Sequence, residues 1–155
     1  MHAYWVEPGV LLAGEYPGQA VGLLVAHGVR TFVDLTSPSD GLPEYTRAAH
    51  QLGLGTTVLR FPIPDFGTLE PAGYDEIVAA INAAADRGAV YVHCWGGIGR
   101  TGTVVGCWLV DAGLTADAAL ARLASLRAGT RGGHRRSPET KAQVEVIRAR
   151  AARQR

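Results

Sequence analysis

The chain has one lysine, Lys141, one methionine and two cysteines, Cys94 and Cys107, in 155 residues. Two cysteines outside any C-x-x-C pair, and no His/Cys group at zinc-ligand spacing, give neither a disulfide framework nor a structural metal site. No apolar run reaches membrane-spanning length and no apolar leader opens the chain, so a cytoplasmic protein is expected. Runs of one charge sign are missing too: 15 basic against 14 acidic side chains leave a formal net charge of +1. That balance produces no field to gather nucleic acid or an anionic bilayer, so neither is expected as a partner, and attraction for a charged ligand must be local. A monomer is expected.

What is present is apolar: 47% of the residues, enough for one core and a single domain over 1–155. Short β-branched runs alternate with helical patterns along the whole length, with no linker between them. Strands are predicted over 10–13, 31–35, 56–63 and 89–93. Helices are predicted over 19–27, 43–52, 71–87, 101–111, 115–126 and 138–150, with Thr115 and Ser137 as N-caps and Pro138 at the first helical position. The alternation predicts an α/β fold with a mostly parallel central sheet flanked by helices, and ligands at the carboxyl ends of the strands.

Residues 93–102, HCWGGIGRTG, admit two parsings. Gly97, Gly99 and Gly102 form G-x-G-x-x-G, the dinucleotide fingerprint, which needs a second parallel strand after the helix and an acidic residue some 20 positions on. After Gly102 come helical patterns and a basic loop but no strand, and no lysine follows to make a Walker loop. The second parsing, H-C-x-x-G-x-x-R-T-G, gives each residue a task. A cysteine at the end of a buried strand, followed by glycines that let the backbone curl, aims successive N–H groups at one point. The helix that follows adds its positive end, and Arg100 offers a fork matched to phosphate oxygens. The same field favours a thiolate.

On this loop the sequence resembles the cysteine-based protein tyrosine and dual-specificity phosphatases, of the compact dual-specificity type. The likeness extends more loosely to FPIPDFG upstream and RRSPETKAQ downstream. It implies Cys94 as nucleophile, Arg100 with the loop residues Trp95, Gly96, Gly97, Ile98 and Gly99 as the phosphate cradle, and Thr101 as a hydroxyl donor to the Cys94 sulfur. His93, behind the nucleophile, would order the loop. No metal or organic cofactor is implied. The expected partner is a phosphorylated protein, phosphotyrosine first, or a small phosphomonoester. A non-catalytic phospho-binding module stays open, although its usual mark, a lost cysteine, arginine or acid, is absent.

A general acid must protonate the leaving oxygen. Asp75, Asp86, Asp111 and Asp117 fall on or beside helices where a solvated face explains them. Asp65 opens a loop after a strand, between Pro64 and Phe66, on the edge where Cys94 lies, and is assigned as the acid. Asp40 in SPSDG is the substitute, and Asp34 a strand-end residue that could brace the site. The family's Gln-Thr-x-x-Gln water-positioning element is represented by Glu139, Thr140 and Gln143, so its first glutamine is missing. RGGHRR, 131–136, is read as a solvated loop that could steer an acidic substrate. Cys107 is assigned to the core, about 9 Å along its helix at ~1.5 Å per residue, too far for a disulfide to Cys94.

Overall fold

A computed structural model describes residues 1–154. Five strands form one sheet in the order β1-β2-β5-β3-β4: β1 Ala3–Glu7, β2 Leu11–Gly14, β3 Val29–Asp34, β4 Thr57–Arg60 and β5 Ala89–His93. All neighbours are parallel except β1, which runs antiparallel to β2. The α/β fold with a mostly parallel sheet is as expected from the alternation of patterns. β1 was not expected; its five residues alternate in burial as an edge strand does, but a run that short at the chain start gives little periodicity to read.

β5 is central and buried at every position, and its alternation divides the core in two. Val90 and Val92 face the layer of helices α3 (Pro71–Ala84), α4 (Gly99–Asp111), α5 (Ala116–Arg127) and α6 (Lys141–Arg153). Ala89 and Tyr91 face the smaller layer containing α1 (Val21–Ala26) and α2 (Thr46–Gln51). The registers Gly14↔His93 and Asp34↔His93, with Asp34↔Arg60, bring the carboxyl ends of β2, β5, β3 and β4 to one edge.

Several expected boundaries move for identifiable reasons. β4 stops at Arg60 instead of 63 because Pro62 has no N–H for the ladder, although Phe61 and Ile63 still donate to the carbonyls of Asp34 and Leu35 (2.9 and 3.0 Å). The helices expected at 19 and 43 begin as α-helix only at Val21 and Thr46, after a 3₁₀ turn in the first case. Thr115 caps α5 as expected, accepting from the Ala118 N–H. Ser137 does not cap α6. Its hydroxyl donates to the Ile98 carbonyl (2.6 Å), and Thr140 caps instead, three residues later, in a reciprocal capping box with Gln143.

Candidate active site

Residues 94–98 join the central strand to α4, and the curl depends on Gly97. Its φ of +74° is a left-handed conformation, and a Cβ there would come within 2.4 Å of the Gly14 carbonyl carbon at the end of β2. The turn brings the Gly97 N–H to Cys94 Sγ at 3.3 Å. α4 then starts at Gly99, two residues before the expected Thr101, so Arg100 lies in its first turn beside the orphan N–H groups of the helix start. Cys94 and Arg100 are both buried. Trp95, between strand and glycines, is 55% exposed. Gly96 and Ile98 complete the loop.

His93 behind the loop is fully enclosed. Its Nδ1 lies 2.9 Å from the Cys94 carbonyl, which can only accept, so Nδ1 carries the proton. Nε2 then accepts from the Tyr45 hydroxyl at 2.6 Å. Burial lowers the imidazole pKa against an opposing pull from Asp34, so one neutral tautomer satisfies both contacts. The ring stacks on Tyr91, centroids 5.7 Å apart. Tyr45, in a stretch expected to be helical, was not singled out from the sequence. Nothing local marks a tyrosine whose partner lies 48 residues away.

Arg100 is held from the side opposite its backbone. Nη1 donates to Asp40 Oδ2 (2.8 Å) and to the Ile63 carbonyl (2.9 Å), and Nη2 donates to Asp40 Oδ1 (2.9 Å). Of the five guanidinium N–H groups, three are thereby engaged, leaving one on Nε and one on Nη2 for an incoming anion. Asp65 Oδ1 stands 3.3 Å from that Nη2. The two aspartates considered as acids thus occupy contrasting places. The Asp40 side chain is 2% exposed, and its hydrogen bonds to Arg100 drive the carboxyl down to about 2; it is a fixed carboxylate and a poor proton donor at neutral pH. The Asp65 side chain is 43% exposed, in a loop made by Phe66 in a left-handed conformation and by Gly67 turning back onto the Pro64 carbonyl.

Asp34 braces this edge as expected. It accepts from the Thr36 N–H and hydroxyl and pairs with Arg60, while His93 Nε2 lies 3.8 Å away. Thr101 places its hydroxyl 3.5 Å from the Gly14 carbonyl; among the described residues the hydrogen bond to Cys94 Sγ comes from Gly97, not from Thr101. Glu139 reaches the loop: a Cβ on Gly99 would sit 2.5 Å from Glu139 Oε1. Gln143, fully buried, accepts from the Glu139 and Thr140 N–H groups and offers its Nε2 to the Gly67 carbonyl at 3.4 Å, joining the start of α6 to the Asp65 loop.

The remaining expectations resolve as structure. Asp75 and Asp111 are more than solvated: both pair with Arg150, tying α3 and α4 to α6. Asp117 pairs with Arg148, and Asp86 is exposed. Cys107 is a free core thiol pushed up to about 12 by burial. The 131–136 loop is pinned, not merely solvated, since the Gly132 and Arg135 carbonyls accept from Arg127.

Two titrations set an acid-stability profile. Imidazole 93 is depressed when folded, so below its ordinary value of 6.5 the unfolded chain takes up a proton that the folded one refuses, and stability falls with falling pH. The Asp40 carboxyl is depressed from 3.8 to about 2, so its contribution is full above 3.8 and lost as pH drops through 2. That second loss is worth about 2 kcal/mol. Urea melts from pH 7 to 2 on wild type and Asp40→Asn should show the variant less stable at neutral pH but flatter between about pH 4 and 2. Parallel curves would rule out the Asp40–Arg100 pair as the source.

Residues 2–155 match the protein family described as Swiss Army Knife protein, DSP-PTPase phosphatase domain. Tk-PTP, in a crystal structure of its active form, is 28% identical, with a TM-score of 0.83 over 98% of this chain and 97% of that one. PTPMT1 in complex with PI(5)P shares the fold at 19% identity, with a TM-score of 0.79 over 99% of this chain and 96% of that one. Protein tyrosine phosphatase domain-containing protein 1 of Mus musculus is 27% identical over 137 residues, 77% of this chain and 18% of that protein. The chain therefore spans less than a fifth of the length of that curated relative.

Proposed function

Since the chain belongs to the Swiss Army Knife DSP-PTPase phosphatase domain family, we propose that it hydrolyses phosphomonoesters through a phosphocysteine, without a metal, and that phosphotyrosine protein is the preferred substrate. The observation that carries this reading is the convergence of Cys94, Arg100 and Asp65. The nucleophilic sulfur and the helix start lie at one loop, and the exposed carboxyl stands 3.3 Å from the guanidinium that would hold the phosphoryl group.

In the first step Cys94 Sγ attacks phosphorus as the thiolate. The S–P bond forms while the P–O bond to the leaving group breaks, and Asp65 gives that oxygen its proton. Negative charge on the equatorial oxygens meets the N–H groups of 95–100 and the two free N–H groups of Arg100, oriented beforehand by Asp40 and Ile63. In the second step a water oxygen bonds to phosphorus, the S–P bond breaks, and Asp65 takes the water's proton. Thr101 is assigned to assist the departing sulfur, which requires its hydroxyl to turn from the Gly14 carbonyl. His93 orders the loop from behind.

The substrate preference rests on the mouth of the site. Trp95 and Phe66, 55% and 57% exposed, flank Cys94 and Asp65 in sequence, and the variable loop positions carry no cation. Exposed aromatic rings suit an aryl leaving group better than a polyanionic ring. Initial rates on phosphotyrosine peptides, phosphoserine peptides, inositol phosphates and nucleotides, with and without chelator, test it. Phosphotyrosine should lead in kcat/KM by roughly tenfold or more and be indifferent to chelation. An inositol phosphate in first place would refute the protein-substrate reading, and loss of activity with chelator would refute the metal-free mechanism.

A further inference from the structure

The cations of the loop after α5 take no part in the hydrolysis proposed above. Together with α5 and α6 this loop walls a pocket of about 490 Å³, with Arg127, His134, Arg135, Arg136 and Ser137 among its lining. The rest of the lining is aliphatic or glycine, and no acidic side chain contributes. Arg135 has a carboxylate partner in Glu139, 3.1 Å away. Among the described residues, His134 and Arg136 make no side-chain hydrogen bond or ion pair.

Arg127 gives the pocket its unusual character. It is 1% exposed, its Nη1 and Nη2 donate to the carbonyls of Arg135 and Gly132 (2.7 and 2.8 Å), and its Nε is buried without a partner. Among the described residues no carboxylate pairs with it. A buried guanidinium hydrogen-bonded only to carbonyl dipoles has no direct counter-ion, and such a charge is costly. An anion in the pocket would supply the missing counter-charge, and guanidinium groups match phosphate oxygens in particular.

We infer that this pocket is a second anion site, which takes a phosphate-class dianion independently of Cys94 and Arg100. No residue of the catalytic loop lines it. It does abut that loop, because Ser137 on its rim donates to the Ile98 carbonyl and Glu139, the partner of Arg135, lies against Gly99. The ligand is either free phosphate or a second phosphoryl group on the substrate.

Calorimetric titration of the full chain with inorganic phosphate tests the site. Wild type should bind two equivalents, Arg100→Ala one, and the double variant His134→Ala/Arg136→Ala one, with the lost site weakened roughly tenfold or more. Two equivalents in wild type and one in the double variant support the pocket whatever Arg100→Ala does. A failure of the phosphatase reading shows separately, as an Arg100→Ala protein that keeps both. The inference is overturned if wild type binds one equivalent that Arg100→Ala removes, or two that the double variant retains. Peptides with one and two phosphoryl groups then separate the sources. A KM raised in the double variant for the doubly phosphorylated peptide alone assigns the pocket to substrate, and unchanged KM values for both assign it to free phosphate.

Discussion

Replacing Cys94 by serine should lower the hydrolysis of para-nitrophenyl phosphate by roughly four orders of magnitude or more, while vanadate binding and thermal stability stay near wild type. The separation is expected from the geometry. The anion cradle is made by backbone N–H groups and by Arg100, which Asp40 and Ile63 hold without help from Sγ. The Gly97 N–H that meets Sγ at 3.3 Å can meet a hydroxyl oxygen as well. What serine lacks is an accessible anion, since an alcohol ionises far above the pH at which a thiol does. A serine variant that retained a substantial rate would show that Cys94 is not the nucleophile, and a variant that lost vanadate binding as well would show that the sulfur is part of the cradle.

The second large effect concerns Asp65 and depends on the substrate. Asp65→Asn should slow a phosphotyrosine peptide by about 10² to 10⁴ and para-nitrophenyl phosphate much less, because nitrophenolate departs without a proton and tyrosyl oxygen does not. The alkaline limb of kcat/KM should vanish for the peptide, while the acidic limb, set by the nucleophile and the substrate phosphate, remains. Asp40→Asn should behave differently. Loss of the buried carboxylate leaves Arg100 without its main anchor, so both substrates should slow alike and vanadate should bind more weakly. Steep leaving-group dependence in Asp40→Asn and none in Asp65→Asn would transfer the acid role to Asp40, against the fixed negative charge its burial gives it.

The comparison of these aspartates also marks where sequence reasoning stops. The loop 93–102 was legible because its chemistry is local: strand end, glycines, arginine and helix start follow one another, and the structure departs only in where the helix begins and in turning the Thr101 hydroxyl to the Gly14 carbonyl. The placement of Asp65 near Arg100 was legible from its position after a strand whose end shares an edge with β5. The bracing of Arg100 was not, since Asp40 pairs with it across 60 residues and the SPSDG loop looks equally suited to a free acid. The same holds for Tyr45 on His93 and for Gln143 on Gly67, contacts that depend on how α2 and α6 pack. Ser137 misled for a different reason. A serine before a proline is a good cap signal, and here the hydroxyl found a tertiary acceptor while Thr140 met the local need.

The amino-terminal hairpin forms an edge of the sheet, and it is also the back wall of the 94–98 loop. β1 is one of the two edge strands and joins the rest through β2. At the far end of that hairpin the Glu15 N–H donates to the His2 carbonyl and the His2 N–H to Glu15 Oε1, and Gly97 leans on Gly14 beside them. Edge strands open at lower free energy than a sheet's centre. Because Tyr4, Val6, Leu11 and Ala13 of this hairpin belong to the core beneath the helical layer, fraying of the first fifteen residues would release the loop's curl and open that core together, so the loop's shape lasts only as long as this margin of the sheet holds.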